Sequence, residues 1–258
     1  MRGLEMDKKY KLTASFVLLL SVIFCFFSYA FASNISDWGI IPVTHWDPTV
    51  PGITYEVDYQ GNGVVHNGSS GYLDPGYGGH AFDAEAIYIS SGNGNLYYAI
   101  VTGFPNTGST NSWLYSGWQP GDIAFDFGID DTYEYGIATT NRNYIAGNLY
   151  SVTQWGTDIW GSGASSPTDI LGTSGSGIGG GSLTYAQYLS SDHWVIEGYI
   201  PQSAFGPDWG KNFRVYWTET CGNNVIYVDV PAVPEPATMS LLGLGLLGVL
   251  GLRKRNRA

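Results

Sequence analysis

Asp83 and Glu85 are the first residues in this chain whose types and spacing could do chemistry. They stand two apart in an alternating stretch, Phe82-Asp83-Ala84-Glu85-Ala86-Ile87-Tyr88. As a strand, that stretch puts both acids on one face and Phe82, Ala84 and Ala86 on the other. A rise of about 3.3–3.4 Å per residue sets the two Cα atoms about 6.5–7 Å apart. Glycoside hydrolysis needs carboxyls about 5–5.5 Å apart for retention and about 6.5–9.5 Å for inversion. Glu134 and Glu197 are further acids of this kind. The same residue types serve a second chemistry, because hard cations take carboxylate and carbonyl oxygens. Asp130 and Asp131, in the turn Gly128-Ile129-Asp130-Asp131, join Asp83 and Glu85 as calcium candidates. Neither an E-x-D-x-x-E arrangement nor a D-x-D-x-D-G loop accompanies them. Nineteen acids between Ser33 and Ala232 produce such pairs by chance, so the sequence favours a non-catalytic protein.

Nucleophilic and transition-metal chemistry find less. His45, His66, His80 and His193 are widely spaced, and each reads as a surface or turn residue rather than a ligand. No G-x-S-x-G elbow occurs, and Cys221 has no neighbouring base. Cys25 lies in the leader, so Cys221 is the single thiol of the body and reads as buried and inert.

Carbohydrate binding is the mode the aromatics allow, because sugars stack their C–H faces on exposed rings. Trp113, Tyr115 and Trp118 lie in a polar loop, Asn111-Ser112-Trp113-Leu114-Tyr115-Ser116-Gly117-Trp118. Trp155 and Trp160 flank a Gly/Ser-rich loop over 161–182. These five are the sugar-contact candidates, whereas Trp194 and Trp217 sit on strands and read as core.

The elements that must position these residues are strands. Nine are expected, over 53–59, 81–90, 95–103, 122–128, 132–139, 148–155, 193–200, 212–219 and 224–230. Gly92-Asn93-Gly94-Asn95 is a tight hairpin signal, since Gly and Asn accept positive φ. The body holds 31 of the 36 glycines, and a glycine inside a helix costs about 1 kcal/mol relative to alanine. The expectation is an all-β protein, a single antiparallel β-sandwich of jelly-roll or carbohydrate-binding-module type.

The charge lies unevenly. Residues 33–232 keep three basic residues against nineteen acids, a formal charge of −16, while the whole chain carries −11. An acidic body repels phosphate backbones, which excludes nucleic acid as a partner. The basic residues instead cluster at the two ends. Residues 1–32 read as a signal peptide: Arg2, Lys8, Lys9 and Lys11, an apolar run from Leu12 to Phe27, then Ala30-Phe31-Ala32 as a signal-peptidase site. Residues 233–258 carry Pro234-Glu235-Pro236, a Leu/Gly run from Met239 to Leu252, and Arg253-Lys254-Arg255. That run is short for a membrane span of about 20 residues, as suits a transient anchor. The basic end is held cytoplasmic by the positive-inside rule.

This tripartite end resembles the PEP-CTERM sorting signal of Gram-negative bacteria. The resemblance implies an exosortase as processing partner, cleavage at the Pro-Glu-Pro element, and export in cells that make exopolysaccharide. A second likeness runs through AFDAEAIYIS, NLYYAIVTGFP, HWVIEGYIPQSAFG and VYWTETCGNNVIYVDV. These segments resemble a family of exported proteins similar to DOMON and family-9 carbohydrate-binding-module sandwiches. Asn224 stands where that pattern has an acid, which puts a cation there in doubt. Some DOMON relatives carry haem, but the body has no Met for a His/Met pair, so no cofactor is expected beyond calcium. The reading is an exported, exosortase-processed surface or matrix protein that binds exopolysaccharide. Its rivals are a secreted glycan-active hydrolase and a purely structural or adhesive surface protein.

Overall fold

The computed structural model describes residues 34–42, 44–58, 79–109, 117–158 and 166–232. The leader residues Ala30 and Ala32 and the sorting residues Pro234, Glu235, Pro236, Arg253, Lys254 and Arg255 lie outside the described residues. Among the described residues no helix is long and apolar enough to cross a membrane.

The β-branched and aromatic segments form eleven strands: β1 Thr54–Val57, β2 Ala84–Gly92, β3 Asn95–Thr102, β4 Ile123–Phe127, β5 Tyr135–Ile137, β6 Leu149–Trp155, β7 Ile170–Thr173, β8 Ser182–Gln187, β9 Trp194–Pro201, β10 Phe213–Thr218 and β11 Val225–Val230. They make two sheets, ordered β1-β2-β3-β9-β8 and β11-β10-β4-β5-β6-β7. Every pairing is antiparallel. The nine expected strands are all present, and the expected hairpin joins β2 to β3 through Asn93 (φ 52°) and Gly94 (φ 76°). Two strands come as a correction. The supposed loop over 161–182 contains β7 and ends in the first residue of β8.

The inner faces of the two sheets meet in one core. Ile87, Ile89, Ile100 and Ile196 from one sheet pack with Ile123, Phe125, Val215 and Trp217 from the other. Each such side chain contributes about 1.5–3 kcal/mol relative to exposure. This is the β-sandwich the alternation predicts.

A second apolar cluster sits on the outside of the five-stranded sheet. Asn34 caps a 3-10 turn at Ile35–Trp38, its side chain accepting from Ser36 N at 2.9 Å. The segment this turn begins lays Ile35, Trp38, Ile40 and Trp46 over Ala86, Tyr88, Ala99, Val101 and Val195. Ile35 N donates to Glu197 Oε2 at 2.8 Å, tying the strap to β9. Strand β2 is therefore covered on both faces along most of its length, where simple alternation predicted one wet face.

The strand register breaks once where it matters. Ala84 pairs with Thr102 and Ala86 with Val101, so Glu85 is the extra residue of a β-bulge. The bulge reverses the alternation. Phe82 and Ala84 join the inner core, whereas Ala86 joins the outer cluster. This corrects the expectation that Ala86 shares a face with Phe82 and Ala84.

Candidate functional site

The bulge also parts Asp83 from Glu85. Both are fully buried, but they serve different clusters. Glu85 Oε1 lies 2.9 Å from His80 Nδ1, and Glu85 Oε2 lies 3.2 Å from His193 Nε2. His80 comes from the 3-10 turn just before β2, and His193 from the residue before β9. Strand β3 brings them together, since its last residue, Thr102, pairs with Ala84 on one side and Trp194 on the other. The His80 and His193 rings are 4.9 Å apart, and the Trp46 ring of the strap lies 5.6 Å from His193. His80 Nε2 lies 3.0 Å from the Asp192 carbonyl oxygen. A carbonyl only accepts, so Nε2 carries the hydrogen and Nδ1 faces Glu85. Burial pushes the Glu85 carboxyl above the usual range, partly offset by His80. One donor atom from each of the three residues falls within 4.8 Å of the others. The two histidines were read from sequence as isolated turn residues, and the structure corrects that: they converge on a carboxylate. His66, the third histidine near this region in sequence, lies outside the described residues.

Asp83 belongs to the inner side. Its Oδ1 accepts from Asn224 Nδ2 at 3.2 Å. Asn224 N donates in turn to Glu219 Oε1 at 3.2 Å, and Cys221 Sγ lies 3.7 Å from the same oxygen. Burial raises the Glu219 carboxyl to about 8. Burial, then the nearby Glu219, pushes the Cys221 thiol up to about 12. Cys221 is thus a buried free thiol of low reactivity, as expected. An amide at 224 supplies Asp83 with a donor where a second acid would need a proton or a cation. The structure thus places Asp83 and Glu85 in separate clusters rather than side by side.

Asp130 and Asp131 also part company. Asp126, Asp130 and Glu134 place one oxygen each within 4.8 Å. Asp126 accepts from Asp130 N at 3.1 Å and Asp131 N at 2.8 Å, and Glu134 accepts from Phe127 N at 2.9 Å. These acids organise the turn between β4 and β5. Asp131 lies 3.4 Å from Arg214 and is not part of that group, which contains Asp130.

The aromatic candidates divide by packing. Trp118 is half-buried against the inner core. Trp155 lies on β6 and packs beside Tyr150 and Ile170, its Nε1 donating to the Tyr133 carbonyl at 2.8 Å. Both are tied into the fold rather than standing clear of it as sugar platforms. Trp113, Tyr115 and Trp160 lie outside the described residues.

A different pair of rings lines a groove. Edge strands β1 and β11, one from each sheet, border a depression of about 510 Å³. Tyr55 and Tyr227 line it, 39 % and 49 % exposed, with Glu56, Asp58 and Asp229. Each ring is braced. Tyr55 stacks on Tyr88 at 6.0 Å and 17°, and its hydroxyl donates to Asp47. The Arg214 guanidinium lies 4.6 Å from the centre of the Tyr227 ring and is held by Asp229 at 2.7 Å. Sequence reasoning missed both tyrosines because they sit in ordinary alternation. The available signal was that Tyr227 falls on the polar side of Val225-Ile226-Tyr227-Val228-Asp229.

Residues 232–255 match the model of the PEP-CTERM protein-sorting motif. The motif implies a secreted precursor, anchored at the membrane and processed by an exosortase for the cell surface. No curated protein and no solved structure matches the chain.

Proposed function

We propose that this is a non-catalytic surface or matrix protein that binds exopolysaccharide through the groove between β1 and β11. The observation that carries the reading is the pair of braced, partly exposed tyrosines among carboxylates. Rings immobilised from behind lose little entropy when a sugar stacks on them. Glu56, Asp58 and Asp229 supply acceptors for sugar hydroxyls, and the Arg214 guanidinium beside Tyr227 is already engaged by Asp229. With a body at −16, the groove favours neutral or amino-sugar chains over anionic ones. The likeness of the body to DOMON and family-9 carbohydrate-binding-module sandwiches supports the same reading. Signal peptidase and exosortase are its partners during export, and the C-terminal run serves as a transient anchor.

The hydrolase rival is weakened by the site geometry. Its best sequence candidates, Asp83 and Glu85, are fully buried and engaged separately. Affinity electrophoresis through gels containing the host's own exopolysaccharide tests the binding. Retardation of the folded protein supports it, and unchanged mobility favours the structural or adhesive rival. For sorting, Glu235→Ala is expected to block processing, and normal processing of that variant would sink the exosortase step.

A further inference from the structure

We infer that His80, Glu85 and His193 form a site for a divalent first-row transition ion, with zinc the leading candidate. The inference is independent of the glycan groove and uses none of its residues.

The donor set decides the class of ion. Two imidazole nitrogens and one carboxylate suit zinc and its neighbours, whereas calcium takes oxygen ligands. One donor atom from each residue lies within 4.8 Å of the others, near enough for small side-chain shifts to close on an ion. Tetrahedral ligands at bond lengths of about 2.0–2.1 Å stand about 3.3–3.4 Å from one another. Here Nδ1 of His80 and Nε2 of His193 stand 2.9 and 3.2 Å from the two oxygens of Glu85.

The surroundings agree with ligation. A ligating histidine characteristically donates its other ring N–H to a carbonyl or carboxylate, which fixes the tautomer. The Asp192 carbonyl does this for His80 and turns Nδ1 toward a carboxylate oxygen at 2.9 Å. The gap between them is filled either by a proton or by a metal ion, and the third donor, His193 Nε2, within 4.8 Å favours the ion. Glu85 and His193 are almost wholly buried, while the His80 side chain is 12 % exposed, so an ion enters from the His80 side. Glu85 is the extra residue of the β-bulge, and bulges are over-represented beside functional sites. Three protein donors leave one position for water or an added ligand. The bound ion would cross-link the flanks of β2 and β9 over the end of β3, beneath Trp46.

The test uses the full-length chain, purified in detergent and stripped with EDTA. Zinc is titrated in by calorimetry, the thermal midpoint is read with and without it, and cobalt is substituted for its visible absorption. The expected result is one zinc per chain, a raised midpoint reversed by EDTA, and cobalt bands of a nitrogen- and oxygen-ligated ion. Glu85→Gln and His80→Ala should each weaken zinc binding at least tenfold, while Asp130→Asn should not. Should Glu85→Gln fail to fold, His80→Ala at the rim keeps the test decisive. A folded protein that binds no zinc overturns the proposal. So does zinc binding of unchanged affinity in the His80→Ala variant, or loss only in Asp130→Asn. A proton shared within the cluster would show as a midpoint indifferent to zinc and EDTA, which also overturns it.

Discussion

His193 Nε2 lies 3.2 Å from Glu85 Oε2, although Glu85 lies on β2 and His193 just before β9, on opposite sides of β3. The contact depends on three local features. A bulge sets Glu85 outside the regular ladder, the Trp46 ring packs beside His193, and the His80 turn closes against Gly103 at the end of β3.

Gly103 is the tightest of these. A Cβ added there would lie 1.7 Å from the His80 carbonyl oxygen, which is backbone and cannot swing aside. Gly103→Ala is expected to cost about 1–3 kcal/mol, the range for overpacking. Urea denaturation measures it. A change within experimental error would show that the His80 turn moves freely and is not held by this contact.

Glu219 makes stability depend on pH in an unusual direction. Its carboxyl is raised by burial from 4.5 to about 8, so in that window the native state holds a proton that the unfolded state has lost. Stability contributed by this group is full below pH 4.5 and is lost as pH rises toward 8, on the order of 5 kcal/mol in all. Asp122, raised by burial to about 6, acts in the same direction over the lower part of the range. Glu219→Gln should flatten the decline between pH 6 and 8, measured by denaturation at several pH values. An equal slope in both proteins would place the proton elsewhere.

Asn224→Asp would set a second carboxylate beside Asp83, in place of the amide that now donates to it at 3.2 Å. At neutral pH the buried, uncompensated charge should destabilise the fold by about 3–5 kcal/mol. The loss should shrink in acid, where one of the pair takes a proton. Calcium should restore the variant if the paired acids form a cation site. A variant as stable as wild type at pH 7 would mean that the Asp83–Asn224 bond contributes nothing.

Much of the scaffold was legible because its strands alternate and its turns carry Gly and Asn at positive φ, as at Asn93-Gly94. β7 and β8 were not. Ile170–Thr173 is four residues long among Gly and Ser, and β8 is an edge strand burying only Tyr185 fully. The bulge at Glu85 carries no Gly or Pro to announce it, so strict alternation paired Glu85 with the wrong neighbour. The histidines were invisible as a pair because β3, not sequence spacing, joins them. Tyr55 and Tyr227 look like any strand residue until the two sheet edges are brought side by side.

Glycan binding in the groove between β1 and β11 is tested by calorimetric titration with oligosaccharides cut from the host exopolysaccharide. The account predicts saturable binding by the wild-type chain. It predicts at least tenfold weaker binding by Tyr227→Ala and by Tyr55→Ala, a difference of about 1.4 kcal/mol or more. The Tyr227→Ala variant should unfold at a nearly unchanged urea midpoint, since that ring is 49 % exposed. Equal affinity of wild type and both variants, or no binding by a folded wild-type protein, would contradict the account.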